Sequence, residues 1–154
     1  MSMLKLSFMT LMSMLMSSKR MPGRDWQTEF HARLFKRFFQ AASVKGPEWS
    51  RQVLESVSSK SSVMKRVSSE RVELAGVSAL KITPQSLDSE VGRILVYIHG
   101  GGYVTGSANA YLAFVARLAD QSGMLSYSLD YRLSPEHAFP IPQQDCYTAL
   151  KAIA

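Results

Sequence analysis

Several features that define other classes of protein are missing from this sequence of 154 residues. A single cysteine, Cys146, excludes an internal disulfide bond and a cysteine-rich metal site. The apolar stretch over residues 6–16 is interrupted by three polar residues and is shorter than the roughly 20 apolar residues that cross a bilayer. No internal repeat and no tract of five like charges is present. The length and composition predict one globular domain, and no cofactor or metal site is assigned in it.

The net charge of +6 is concentrated in the N-terminal part of the chain. Residues 1–70 hold 12 Lys and Arg against 5 Asp and Glu, whereas residues 71–154 hold 6 against 7. A basic region favours an anionic membrane surface or a nucleic acid. Here the charges are scattered among Phe, Leu and Ser, and no nucleic-acid-binding motif accompanies them. We therefore interpret them as solvated faces of amphipathic helices, and we expect no nucleic-acid partner.

Residues 1–16 hold six of the nine methionines, and the segment is predicted to form an amphipathic helix. Its apolar side chains recur at helical spacing: Leu4, Phe8, Leu11 and Leu15. A signal or targeting segment is one alternative, although only Lys5 precedes the apolar core and no small-residue cleavage site follows. A peripheral anchor, with weak membrane contact through residues 1–20, is the other. We expect a cytoplasmic protein, with a peripheral membrane position or export as alternatives.

Two more helices are predicted before residue 69. Asp25 can cap the first, and Pro47 can open the second. Their apolar stripes are Trp26, Phe30, Leu34 and Phe38, widened by Phe35 and Phe39, and then Trp49, Val53 and Val57. We interpret these stripes as packing surfaces, and His31 beside them has no identifiable partner or role. The Ser- and Lys-rich residues 56–69 are predicted to be a linker.

After residue 69 the pattern changes from helical to extended. Alternating residues 71–74 and 78–83, separated by Ala75 and Gly76, predict an antiparallel hairpin. Residues 94–98 are nearly all apolar, as expected for a strand covered on both faces, and residues 124–129 predict another strand. A helix lies between these two strands: its core residues are Leu112, Val115, Ala116 and Ala119, Asn109 caps it and Gly123 ends it. This order predicts a parallel pair with a right-handed crossover.

Residues 130–144 hold three of the six prolines and are predicted to form a long ordered loop. A helix is predicted from Asp145 to the end of the chain. Cys146 lies in its apolar pattern and is interpreted as a small core residue.

Two motifs follow the two predicted parallel strands, where open α/β sheets bind ligands. The first is His99-Gly-Gly-Gly-Tyr103, and the second is Asp130-Tyr-Arg-Leu-Ser-Pro-Glu-His137. In this order, with a helix between them, they closely resemble the bacterial hormone-sensitive-lipase-like family of α/β-hydrolases. The resemblance covers residues 70–154, whereas residues 1–69 resemble the family's N-terminal cap helices only in kind.

The resemblance implies the N-terminal portion of an α/β-hydrolase fold. The fold class is α/β: an antiparallel hairpin leads into parallel strands with a crossover helix, and a helical cap precedes them. Residues 1–69 would be the cap region, and residues 70–154 a partial core without the nucleophile elbow and later strands. Family members are carboxylic ester hydrolases with a Ser-His-Asp/Glu triad, no cofactor and small hydrophobic ester substrates. They are about twice as long, so the chain is expected to be truncated before the catalytic serine.

The glycine run is the part of the resemblance that carries chemistry. In the family, backbone N–H groups of this run form an oxyanion hole for the carbonyl oxygen of the substrate. By resemblance, Gly101 and Gly102 supply these donors, and Gly100 shapes the turn or contributes. One such donor contributes about 2.7–4 kcal/mol of transition-state stabilisation. Tyr103 either lines the substrate pocket or packs.

The remaining motif residues are expected to order the loops. By resemblance, His99 is structural and bonds to neighbouring loop backbone, so it is not interpreted as a general base, and His137 belongs to the loop motif. Asp130, Arg132 and Glu136 are expected to pair and order the loop beside the glycines.

No Gly-x-Ser-x-Gly elbow occurs in the 154 residues, and no residue of a triad is assigned. We therefore expect the chain to be inactive alone. The alternatives are a non-catalytic binder of hydrophobic small molecules, as in plant gibberellin receptors, and a fragment that binds a membrane or a partner through its Met-rich helix. Residues 93–98 would present an unpaired apolar edge, which predicts marginal stability and self-association.

Overall fold

In a computed structural model of the protein, the described residues are 2–16, 23, 25–57, 61–88 and 92–154. The chain divides into two compact units, Met1–Val53 and Leu54–Ala154. The boundary between a cap and a core at residues 69 and 70 stays a prediction. None of the helices in the described residues combines the length and apolar character of a membrane-spanning segment.

Helix α1, Met3–Met16, confirms the predicted N-terminal helix but buries another face. Its buried side chains lie one turn apart and are Leu6, Thr10 and Met14. The predicted stripe is wrong, because Leu4, Phe8 and Leu15 are 83%, 64% and 70% exposed. The helix carries apolar side chains on all sides, so apolar spacing alone does not select the buried face.

Helix α2, Trp26–Val57, contains the two helices that the sequence predicted, joined at a bend. Gly46 has φ 84° and ψ 179°, directly before Pro47, which removes a helical N–H donor and disfavours helical backbone at the preceding residue. Asp25 caps the helix as predicted, since its Oδ1 accepts the Thr28 N–H at 2.7 Å. Beyond the bend, Trp49 stacks on Phe38 with ring centroids 5.8 Å apart.

The linker predicted over residues 56–69 is wrong at both ends. Residues 56 and 57 belong to α2, and residues 58–60 lie outside the described part of the chain. Ser62–Lys65 form a 3₁₀ helix that buries Val63, and the first strand already starts at Val67. Serine misled the prediction because this strand has exposed positions where small polar side chains are tolerated.

Four strands form one mixed sheet in the order β1-β2-β4-β3. They span Val67–Leu74, Val77–Pro84, Ile94–Tyr97 and Leu125–Asp130, numbered β1 to β4 along the chain. Strand β2 is antiparallel to both β1 and β4, whereas β3 and β4 are parallel. Ala75 and Gly76 turn between β1 and β2 with φ of 50° and 86°, as a two-residue hairpin turn requires. The hairpin and the parallel pair are confirmed.

The crossover helix α3, Leu112–Ser122, buries the predicted Val115, Ala116 and Ala119 and ends at Gly123 as predicted, whereas Leu112 is only partly buried against this cluster. The predicted N-cap, Asn109, is wrong: Tyr111 occupies that position and makes no capping bond with its side chain. The Asn109 side chain instead donates to Glu55, and the Ser107 hydroxyl accepts the Ala110 N–H at 2.9 Å. An extra turn therefore precedes the helix.

Helix α4, Ile141–Ile153, begins four residues before the predicted start. The end of the predicted loop over 130–144 is thus helical. Pro142 counted as a loop signal, but a proline in the first turn of a helix loses no bond, because that N–H has no partner within the helix. Cys146 is buried in this helix, as predicted.

The sheet is covered on both faces. On one face α3 packs against β2 and the 3₁₀ helix, and the cluster includes Ile82 and Val115. On the other face α4 packs with β1 and β2, and the cluster includes Leu129 and Cys146. Strand β3 is less enclosed than its sequence suggested, since within the described residues it pairs only with β4.

Candidate functional site

The two motifs meet where β3 and β4 end, as predicted. The Ser134 N–H donates to the Tyr103 carbonyl at 2.7 Å, and the Tyr131 hydroxyl donates to the His99 carbonyl at 2.5 Å. Parallel strands end at the same edge of a sheet, so the topology alone brings these loops together.

The glycine run forms a tight loop rather than a loose turn. Gly101 and Gly102 have φ of 132° and 63°, a region that glycine adopts without strain. The N–H groups of Val104 and Thr105 both donate to the Gly101 carbonyl at 3.1 Å. A Cβ at Gly101 would lie 2.0 Å from the Thr105 carbonyl oxygen, so no side chain fits there.

The N–H groups of Gly101 and Gly102 are available to a ligand. Across the part of the chain that the structure describes, neither group donates to a protein acceptor, and both residues are exposed. The loop can therefore present two backbone donors to an oxygen atom from outside.

His99 lies beneath this loop and is 3% exposed. Its Nδ1 lies 2.9 Å from the Gly100 carbonyl, and its ring stacks on Tyr131 with centroids 4.3 Å apart. Burial lowers the pKa of His99, which favours the neutral ring. Because the imidazole is buried and lies against the loop backbone, it supports the loop and has no access to an external substrate.

Two residues of the site escaped the sequence analysis. A Cβ at Gly106 would lie 2.4 Å from His99 Nδ1, so this second glycine makes room for the imidazole. Burial raises the pKa of Tyr131 to about 12, which keeps its hydroxyl protonated as the donor to His99. The Gly106 signal was its position four residues after the glycine run, and Tyr131 was visible only as part of the second motif.

Asp130 and Arg132 are bonded to partners that the sequence did not predict, so their expected pairing with each other is wrong. Asp130 Oδ1 accepts the Ala108 N–H at 2.6 Å, and its Oδ2 pairs with Arg71 at 2.7 Å. Arg132 makes a bidentate pair with the buried Asp145, at 2.9 and 2.7 Å. A salt bridge needs tertiary proximity, which sequence spacing within a loop does not reveal.

The remaining candidates lie on the same loops. Tyr103 is about half exposed and meets Tyr131 edge-on with centroids 6.3 Å apart, so a pocket role and a packing role both stay predictions. Glu136 is exposed, and His137 is fixed through its N–H, which donates to the Leu133 carbonyl at 2.9 Å. Among the described residues, no group of three metal-ligating side chains comes together.

Known proteins are similar in sequence and structure to the part of the chain that contains both motifs. A family described as having the alpha/beta hydrolase fold matches residues 95–154, which include both motifs. A solved structure titled as an esterase from the bacterial hormone-sensitive lipase family is 29% identical with a TM-score of 0.64, over 70% of this chain and 36% of that one. The chain therefore has an α/β-hydrolase fold and is similar to bacterial esterases of the hormone-sensitive lipase family.

Curated proteins similar to this chain include two plant proteins. Tuliposide A-converting enzyme b1 of Tulipa gesneriana is 45% identical over 76 residues, which is 46% of this chain. Gibberellin receptor GID1B of Arabidopsis thaliana is 37% identical over 73 residues, again 46% of this chain. The matched region spans 20% of the length of each relative.

Proposed function

We propose that this chain carries the oxyanion-binding loop of a carboxylic ester hydrolase that acts on small hydrophobic esters. The pair of free N–H groups at Gly101 and Gly102 is the observation that supports it. When a nucleophile adds to an ester carbonyl, negative charge grows on the oxygen. Backbone donors fixed before the reaction stabilise that charge by about 2.7–4 kcal/mol each.

The nucleophile of this reaction has to come from outside these 154 residues, since they contain no Gly-x-Ser-x-Gly elbow. An oxyanion hole acts on an attack that another group delivers. The proposal therefore includes that the 154 residues alone do not turn over an ester.

A fusion protein tests the role of the glycine loop. Residues 1–154 are joined to the part of a structurally matched bacterial esterase that follows the matched region, and hydrolysis of p-nitrophenyl butyrate is measured. The Cβ added in Gly101→Ala would lie 2.0 Å from the Thr105 carbonyl oxygen and so displace the donor N–H groups. We expect this variant to lower kcat by about 10²–10³, as the loss of one oxyanion donor does. The matched control is Gly76→Ala, which also has positive φ but nothing within 4 Å of the added Cβ. An equal kcat in both variants would overturn the proposal.

Should the fusion not fold, the 154-residue chain itself provides a second measurement. Butyrate, a carboxylate with a short apolar tail, is titrated into the labelled protein, and amide resonances are followed by NMR. We expect the amide protons of Gly101 and Gly102 to shift and to saturate, while Gly76 stays unchanged. Shifts spread over the whole surface would contradict a specific site.

Binding without hydrolysis is a second candidate function, and the resemblance to a gibberellin receptor favours it. A hydrophobic carboxylic acid would place its carboxylate at the same backbone donors. Calorimetry with such acids separates the two candidates. Submillimolar saturable binding by the 154-residue chain would favour a binder, because a hydrolase loop without the rest of its pocket holds a ligand only weakly.

A further inference from the structure

Three consecutive residues just after the glycine loop are held by two carboxylates. Glu55 accepts hydrogen bonds from the Ser107 hydroxyl and from Asn109 Nδ2, the latter at 3.0 Å. Asp130 accepts the N–H of Ala108, between them, at 2.6 Å. Each of residues 107–109 therefore donates a hydrogen bond to one of these two carboxylates.

The bonds to this segment come from distant parts of the sequence. Glu55 lies in the last turns of α2, and Asp130 is the last residue of β4. Ala108 is fully buried in the cluster under α3, and the Ser107 hydroxyl also accepts the Ala110 N–H at 2.9 Å. The segment is therefore a fixed point on which a helix end, a strand end and the start of α3 converge.

The glycine loop needs such a fixed point. Residues 100–106 run from the end of β3 to this segment and include four glycines, which have the largest backbone freedom of all residues. Backbone donors are effective only when they are held in place before charge develops. One end of the loop is set by β3 and His99, and the other end is set at residues 107–109.

We propose that Glu55 is a positioning residue, which holds the distal end of the glycine loop through Ser107 and Asn109 so that the Gly101 and Gly102 N–H groups stay aligned. The catalytic value of this positioning rests on the proposed function. The positioning itself is a property of the loop and can be measured without catalysis. Bonds to an ionised carboxylate are stronger than bonds between neutral groups, which suits this role.

Amide hydrogen exchange of the 154-residue chain tests the proposal. The reporters are the amides of Val104 and Thr105, since both close the loop by donating to the Gly101 carbonyl. In Glu55→Ala we expect them to exchange about fivefold faster or more, while amides in β4 and α3 keep their rates. Glu55→Gln keeps an acceptor and should give an intermediate rate.

The matched control is Glu48→Ala. Glu48 lies on the same helix and is also exposed, but its carboxylate accepts from Gln52 one turn further along. This variant should leave the two loop amides unchanged. Unchanged exchange in Glu55→Ala, or faster exchange throughout residues 61–154, would overturn the proposal, because the second result shows a general loss of stability.

Catalysis in the fusion protein separates this inference from the proposed function. Glu55→Ala should lower kcat at least about tenfold with little change in KM, since misaligned donors weaken transition-state binding. If Gly101→Ala leaves kcat unchanged, the oxyanion function fails, whereas the exchange result for Glu55 still stands. If only the exchange result fails, the oxyanion function is unaffected.

Discussion

At the scale of single residues, the glycine loop requires glycine at two positions where a Cβ would overlap neighbouring atoms. Gly101 faces the Thr105 carbonyl and Gly106 faces the His99 ring, each too closely for a Cβ. Other glycines of the chain adopt positive φ but face open space, such as Gly76 and Gly92. At Gly101 and Gly106 a side chain is excluded by neighbouring atoms, whereas at Gly76 and Gly92 only the positive φ disfavours other residues.

We expect Gly106→Ala to destabilise the fold by about 3 kcal/mol or more, because the new methyl group displaces His99 from a packed position. Gly92→Ala should cost about 1–2 kcal/mol, from positive φ alone. Urea unfolding followed by circular dichroism measures both. Equal losses in the two variants would mean that the imidazole moves aside at little cost.

The Arg132–Asp145 pair makes stability dependent on pH in the acid range. The Arg132 guanidinium holds the pKa of the Asp145 carboxyl below its usual range, so the folded state favours the ionised form. The stabilisation is therefore complete above the unfolded pKa of about 3.9 and is lost as pH falls through the lower folded value.

We expect Asp145→Asn to lose about 1–3 kcal/mol at pH 7 and to narrow its gap to the parent chain below pH 4. Glu70→Gln is the control, since it breaks the exposed pair with Lys81 and should cost less than about 1 kcal/mol. Unfolding free energies at several pH values provide the measurement. A gap for Asp145→Asn that is constant with pH would contradict the assignment.

At the scale of elements, the sequence predicted which elements form more reliably than how each is placed. The β1–β2 hairpin and the α3 crossover followed from alternation, glycine turns and helical spacing, which are local signals. The buried face of α1 did not, because apolar side chains surround that helix. The same holds for the site. The glycine run was visible in the sequence, whereas the hydrogen bond from Ser107 to Glu55 was not, because it joins residues 52 positions apart.

The exposed edge of β3 leads to a prediction about self-association. Ile94 and Ile98 are 43% and 45% exposed beside backbone groups that have no strand partner within the described residues. We expect the chain to form dimers or larger species at micromolar concentration, and Ile98→Lys to shift it toward the monomer. Size-exclusion chromatography with light scattering measures this. Ser68→Lys, on the opposite edge strand, should change nothing.

The exposed face of α1 allows the predicted membrane contact to be measured. Flotation with vesicles of anionic lipid is compared for the parent chain and for Leu4→Asp combined with Phe8→Asp. We expect the double variant to lose flotation, since it removes apolar area and adds negative charge. Glu48→Ala serves as a surface control. Equal flotation of all three proteins would show that α1 is not the contact.

At the scale of the whole molecule, the excess positive charge lies in one compact unit and the two sequence motifs lie in the other. Met1–Val53 holds nine Lys and Arg against three Asp and Glu, whereas Leu54–Ala154 holds nine of each. The neutral unit contains the two motifs. Association with anionic surfaces should therefore depend on salt, while ligand binding at the glycine loop should depend on it less.

The strand β4 has a further consequence through its register. It is paired on one side with the antiparallel β2 and on the other with the parallel β3, so one backbone alignment serves both pairings. A slip by one residue would exchange the two faces of the strand and would turn Asp130 away from Ala108 and Tyr131 away from His99. The position of the proposed oxyanion loop therefore depends on the pairing of β4, a strand that contributes no residue to that loop.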